Sequence, residues 1–498
     1  MPVTGHFYHA GLVGTSSNFQ CISATTLTRP LTVLDLPLAT VLANSGPASV
    51  HAGLRAAIVD GRFPASARLP SSRDLSRQLG VRRNVIVSAY EQLLVDGLVE
   101  TRTGDGTYVT SRLPPPVGRP AAPPINVTIP SRRAFALGQT YVDPALLRRL
   151  ASLTRRRVAL AKPADVGYGD PRGSESLRNA IARYLRASRG VHCDPGCVLI
   201  VSGTQHGVRL CADALLEPGN WVWMEDPGYR VTRQTLLASR MHPVPVPVDA
   251  FGLDVAAGRK IGPTAKAAYV TPTHQFPTGV TMRMDRRVAL LEWAREAKAW
   301  IFEDDYDSEF RYDGPPLTAL AGIDRSDRVI YIGTFSKMLF AGLRLAYVVV
   351  PPAVLERVVA ARAAQDRFPP PFIERAISDL MVDGTLAAHI RRMRVRYRHA
   401  RDITAQVLLQ TAGGTLQPRI PTQGLHMVAY LPPGLPKGAA AQIRTTADVQ
   451  AWLLSETRMR RSRDDAFILG FAGHDMHELT AAASRLGNAA RSFVDKKA

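Results

Sequence analysis

The chain has 498 residues, 46% of them hydrophobic and 21% charged, which is enough for two or three domains with sizeable cores and excludes a chain disordered throughout. No uninterrupted apolar run approaches the roughly 18 to 20 residues of a membrane span, and the start, MPVTGHFYHAGLVG, lacks the basic and apolar regions of a signal peptide, so a cytoplasmic protein with no membrane partner is expected. The net charge of +20 points to a polyanionic partner, yet residues 47–112 hold 9 basic and 6 acidic side chains against 49 and 35 in residues 134–498, so most of the excess lies in the C-terminal block.

Cys21, Cys193, Cys197 and Cys211 are too scattered for a disulfide framework, and the Cys193–Cys197 pair has no second pair to complete a zinc site, so no metal is expected.

Residues 1–46 are rich in Ser, Thr and Ala without a sustained period and read as an N-terminal extension. Residues 47–112 read as three helices and a hairpin. In the first helix Val50, Leu54, Ala57 and Ile58 share one face up to about Gly61. A second begins at Ser71, whose hydroxyl can cap it with Asp74 reaching back in a capping box, and it buries Leu75 and Leu79. In the third, Ile86, Ala89, Tyr90, Leu93 and Leu94 repeat at helical spacing. After Gly97, LVETRTGDGTYV reads as two strands around a Gly-Asp-Gly turn.

Two short helices across a Gly-containing turn form a helix-turn-helix, and the hairpin makes it winged. Arg82, Arg83 and Asn84 open the third helix, from which a recognition helix reaches base edges in the major groove of double-stranded DNA. Arg73 suits a backbone phosphate and Arg102 stands near the wing tip. The stretch LPSSRDLSRQLGVRRNVIVSAYEQLLVDGLVETRTGDGTYV resembles the winged-helix domain of the GntR superfamily of bacterial transcription regulators over its whole length. Residues 113–135 are proline-rich and read as a stiff linker.

From residue 136 to 498, apolar strand-like runs alternate with helical segments, the mark of an α/β domain with a largely parallel sheet. Only 8 of the 62 basic residues are lysines, and one of them, Lys337, stands among Gly, Thr and Ser in GTFSKMLFAGLRLAYVVV. A desolvated amine loses its proton and condenses with an aldehyde, which a guanidinium cannot do. Taken alone, the lysine serves equally as a helix N-terminal partner for a carboxylate.

Its surroundings meet the needs of pyridoxal 5'-phosphate. AWIFEDDYDSEFRY runs an apolar strand into Glu303, Asp304, Asp305 and Tyr306, bringing an acid and a phenol to a strand end. VLIVSGTQHG leads into a helix at Gly203, Thr204 and Gln205, whose backbone N–H groups can cradle phosphate. Tyr229 ends a strand-like run as a stacking aromatic, and Arg344 supplies a cation.

This block resembles the fold-type I aminotransferases along nearly its whole length. The resemblance makes Lys337 the Schiff-base lysine, Asp304 the partner of the pyridine nitrogen, Tyr306 the partner of the phenolic oxygen and Tyr229 the stacking ring. It makes Arg344, Gly203, Thr204 and Gln205 phosphate contacts, and has Tyr168 reach the phosphate of a neighbouring subunit, implying a head-to-tail homodimer. The whole arrangement, with TPTHQFPTG and EDDYDSEFRY, is similar to the MocR-type regulators.

Departures from the aminotransferase pattern are visible. Phe276-Pro277-Thr278-Gly279 stands for the common Asn-Pro-x-Gly, and His274 or Gln275 either supports the phenolic oxygen in its place or fills an ordinary core position. Ile468 falls where an arginine for the substrate carboxylate is expected, and Arg230, Arg233 or one of Arg458 to Arg463 could substitute. Ala341 replaces a usual proline.

The combined expectation is a transcription regulator that binds operator DNA and senses an amine or amino-acid effector by aldimine exchange at Lys337. The alternative is an active aminotransferase with an appended DNA-binding domain.

Overall fold

The computed structural model describes residues 47–112, 133–460 and 465–496, which belong to two compact units meeting in sequence at Val127 and Thr128. The extension 1–46, the linker up to residue 132, and Arg461 and Arg463 lie outside the described residues.

The first unit comprises α1 (Pro47–Val59), α2 (Ser72–Leu79), α3 (Arg83–Val95), β1 (Val99–Arg102) and β2 (Gly106–Val109). Its core joins Val50, Leu54, Ala57 and Ile58 of α1 to Leu75, Ile86, Ala89 and Leu93, the apolar stripes that the helical periods predict. Leu94 instead faces outward, 45% exposed, and half-buried Tyr90 donates its hydroxyl to Pro70 O at 2.7 Å. At α2, Ser71 Oγ accepts from Asp74 N as expected. The reciprocal half of the box differs: the Asp74 carboxylate takes the Ser71 hydroxyl at 2.6 Å in place of the Ser71 backbone N–H.

The hairpin pairs Val99 with Val109 and Arg102 with Gly106. The segment before α2 extends it, with Leu69 N donating to Thr107 O at 2.8 Å and Val109 N to Ala67 O at 2.9 Å.

The second unit is built on an eight-stranded sheet of β3 (Val198–Val201), β4 (Trp221–Asp226), β5 (His242–Asp249), β6 (Gly252–Leu253), β7 (Ala267–Val270), β8 (Trp300–Asp305), β9 (Val329–Thr334) and β10 (Ala346–Val349). Its order is β3-β10-β9-β8-β7-β4-β5-β6. Strands β4, β5, β7, β8 and β9 run parallel, and β4, β7, β8 and β9 are buried along nearly their whole length, whereas β5, nearer the edge, is only partly covered. The sheet is therefore largely parallel in its middle, but β10 runs antiparallel to both of its neighbours, β3 and β9.

A smaller antiparallel sheet contains β11 (Gln417–Arg419), β12 (His426–Tyr430), β13 (Trp452–Leu453) and β14 (Ala466–Gly470), in the order β11-β12-β14-β13. The helix Thr385–Thr411 contains the arginine-dense run 391–401. Most of those arginines have local partners: Arg392 binds Asp143, Arg394 the carbonyl of Glu309, Arg396 lies over Tyr141, and Arg401 binds Asp402 and the carbonyl of Pro421. Arg391, Arg392 and Arg398 remain exposed, and Arg401 is buried.

Candidate functional site

Because β3 and the parallel strands point the same way, their carboxyl ends share one edge, where open α/β sheets hold ligands. Inverted β10 brings its beginning to that edge: Ala346 pairs with both Val201 and Thr334, the last residues of β3 and β9. Arg344, two residues before Ala346, is thereby delivered beside the start of the helix Thr204–Leu215. It adopts φ +50°, a conformation uncommon outside glycine and recurrent at functional sites.

A cavity of about 220 Å³ opens there and is lined by Lys337, Asp304, Tyr306, Tyr229, Arg344, Gly203, Thr204 and Gln205. Gly203 has φ +146°, and a Cβ on it would stand 3.2 Å from Arg344 Nη2, so glycine keeps the helix N-terminus and the guanidinium close to one spot.

Lys337 Nζ donates to Gly138 O at 3.3 Å. Desolvation holds its pKa below the ordinary lysine value, against the pull of Asp307 and Asp304. Asp304 accepts the Tyr269 hydroxyl on Oδ2, while its buried Oδ1 has no hydrogen-bond partner. Burial pushes this carboxyl up to about 7. Tyr229, pushed up to about 12 by burial, meets the ring of Phe276 edge-on at 5.2 Å between centroids.

His274 requires a correction. It is 2% exposed and sits behind the wall of the cavity, where its Nδ1 lies 3.1 Å from Tyr306 Oη and 3.0 Å from an Asp307 carboxylate oxygen. The carboxylate calls for a hydrogen on Nδ1, and a Tyr306 oxygen sharing that hydrogen keeps its own free to point into the cavity. His274 thus acts on the site through Tyr306. Gln275 is also buried, bonded to Glu225 and to the carbonyl of Pro227, and holds its own loop.

Arg230 and Arg233 separate. The exposed Arg230 places its guanidinium carbon 4.1 Å from the ring centroid of Trp452, which lines the cavity. Arg233 does not line it, and its Nε is buried without a partner. Tyr168 is 82% exposed and packs against Phe368, away from the cavity of its own chain.

Sequence reasoning missed Tyr269, Thr271, Phe276, Ser336, His426 and Trp452 of the lining. The last two come from the small sheet, and only tertiary packing brings them in. Tyr269 had a local signal, a tyrosine one residue from the end of an apolar strand.

In the first unit Arg73, Arg82, Arg83, Asn84 and Arg102 are all exposed. Arg83 Nε donates to Ser72 Oγ at 3.2 Å, tying the starts of α2 and α3 together. Arg102 binds Glu100 at 2.9 Å and lies 4.2 Å over the Tyr108 ring. Arg68, which the sequence reading passed over, donates to Asp105 O and holds the hairpin tip against the segment before α2.

Residues 137–486 match the family "Aminotransferase class I and II", and residues 48–109 match "Bacterial regulatory proteins, gntR family". The chain is 35% identical over 441 residues to the probable rhizopine catabolism regulatory protein MocR of Rhizobium meliloti, covering 85% of this chain and 89% of that protein. It is 30% identical over 455 residues to the pyridoxine biosynthesis transcriptional regulator PdxR of Corynebacterium glutamicum, covering 89% and 95%. Among solved structures, an archaeal alanine:glyoxylate aminotransferase shares the fold of the second unit, with a TM-score of 0.67 at 24% identity over 74% of this chain and 92% of that one.

Proposed function

The chain belongs to the MocR-type helix-turn-helix transcriptional regulators, a gntR-family domain followed by a class I and II aminotransferase domain, and on that premise we propose that it holds pyridoxal 5'-phosphate through Lys337 and uses it to sense a small amine or amino acid. The observation that carries this reading is the convergence of Lys337, Asp304, Tyr306, Tyr229 and Arg344 on one cavity at the edge of the sheet.

Those residues fit the cofactor. The unpartnered Asp304 Oδ1 suits a ring N–H, which would favour the ionised carboxylate that burial alone disfavours. Arg344 and the N-terminus of the helix Thr204–Leu215 suit a phosphate, with room left by Gly203. Tyr306 would donate to the phenolic oxygen, oriented by His274.

Bound there, pyridoxal phosphate would supply an aldehyde carbon able to condense with a primary amine, that of Lys337 or that of an effector. Desolvation readies Lys337 by favouring its neutral amine. Once displaced, the Lys337 side chain is free to make different contacts, and a difference in effector affinity between two conformations then shifts their populations and the engagement of operator DNA. A homodimer in the cytoplasm, with Tyr168 reaching the neighbouring site, belongs to the same proposal.

Lys337→Ala tests it in the full-length protein. The visible absorbance of the reconstituted cofactor should disappear and the effector should no longer alter DNA binding, while basal DNA affinity stays within about twofold, because no exposed cation of the first unit changes. A variant that still responds to the effector would rule out Lys337 as the sensing group. Rapid turnover with several amino acids would favour the aminotransferase alternative.

A further inference from the structure

The chemistry of the cavity wall next to Lys337 narrows the effector, provided the cofactor reading above holds. Besides Lys337, the formally charged side chains lining the cavity among the described residues are Asp304 and Arg344, and Arg344 stands at the end with Gly203 and Thr204. The rest of the wall sets the rings of Tyr229, Tyr269, Phe276, Tyr306 and Trp452 beside the uncharged hydroxyls of Thr271, Thr334 and Ser336. Phe276 lies at its centre, with ring centroids 5.2 Å from Tyr229, 5.3 Å from His426 and 6.3 Å from Trp452. His426 adds no positive charge near neutrality, since burial and the neighbouring His274 pull its pKa down to about 4.

The register of the small sheet removes one further source of charge. Residues directly opposite in an antiparallel pair share a face. Ile468 is opposite Val428 on β12 and Trp452 on β13, and His426 is opposite Gly470. Ile468 therefore lies on the face that carries His426 and Trp452, and it is fully buried. An arginine at that position would be directed to the cavity side of the sheet, where Ile468 stands behind the lining and offers no charge.

We infer that the effector is a primary amine with an apolar or aromatic body and no carboxylate on the amine-bearing carbon. A carboxylate there would lose its water among Tyr229, Phe276, Leu425 and Trp452 and, among the described residues, would find no lining cation besides Lys337 and Arg344, which the cofactor engages, whereas an apolar group gains by the same burial.

The test compares matched pairs on the full-length, cofactor-reconstituted protein: 2-phenylethylamine against phenylalanine, and 3-methylbutylamine against leucine. Binding is read from the visible spectrum and from DNA mobility. The amine should bind about tenfold or more tightly in each pair. Equal or tighter binding of the amino acids, with the cofactor band present, overturns the effector class and leaves the cofactor reading standing. A protein that shows no cofactor band overturns both.

Ile468→Arg should move the preference toward phenylalanine by about tenfold. Because a buried arginine can unfold the sheet, the comparison within the unmodified protein decides independently. If Arg230 reaches in from the Trp452 ring to bind a carboxylate, phenylalanine binds more tightly and Arg230→Ala reverses the order, which also defeats the proposal.

Discussion

The two units handle charge in opposite ways. In the winged-helix unit Arg73, Arg82, Arg83, Asn84 and Arg102 stand on the surface of a small apolar core, and the shifted Asp96 is lowered, chiefly by its hydrogen bond from His51. In the aminotransferase-like unit, the candidate residue Asp304 is buried and Tyr306 half-buried, and desolvation dominates the titration of both. A phosphate backbone is met by exposed cations whose strength depends on salt, whereas condensation with an aldehyde needs an amine and an acid taken out of water.

The sharpest way to break this comparison is to remove a buried charge. Asp304 has its pKa raised from 3.8 to about 7, so its favourable contribution to the cofactor-free fold is complete below 3.8 and is lost as pH rises through about 7. Asp304→Asn should therefore gain thermal stability relative to the parent between about pH 5 and about pH 8, with the difference growing as pH rises. Asp96 has the opposite sign: its contribution is present above 3.8 and is lost as pH falls through its lowered pKa. If the Asp304→Asn variant and the parent melt in parallel across that range, Asp304 is not titrating as its burial implies.

Next in size is Arg344→Ala, which should weaken cofactor binding by about 2 to 3 kcal/mol, roughly 100-fold, by removing charge-assisted hydrogen bonds to phosphate. Titration with pyridoxal phosphate measures it, and DNA affinity in the absence of effector should not move.

Arg83→Ala should cost about 1 to 3 kcal/mol in operator binding if Arg83 reads a base edge, and should relax the preference at one position. A uniform loss over all sequences, with a shallower salt dependence, would make it a phosphate contact. Cofactor absorbance should be unchanged in either case.

The smallest effect is expected from Ser71→Ala, which leaves Asp74 N without its acceptor and should destabilise α2 by about 1 kcal/mol. Hydrogen exchange of the α2 amides in the full chain would detect it, and the aminotransferase-like unit should be unaffected.

Much of the architecture was legible because its determinants are local. Helical periods placed the buried faces of α1 and α3, Ser71 marked the start of α2, and Lys337, Arg344, Asp304 and Tyr306 each belong to a short stretch at a strand end. Tyr90 and Leu94 show the limit: both fit the α3 period, but only packing left one half-buried and the other outside.

By itself the sequence determined the order of the two family-matched regions, the arginines that stand exposed on the first unit and the residue types that gather at the cavity, because those depend on composition and on neighbours along the chain. Tertiary structure alone decided that β10 is inverted and carries Arg344 to the cavity, that His274 stands behind Tyr306, and that Ile468 lies opposite Trp452 on the cavity side of the small sheet. The first and the last are matters of strand direction or register, where one reversal or one residue of slip sends a side chain to another face, and the second is a contact between the segments that follow β7 and β8.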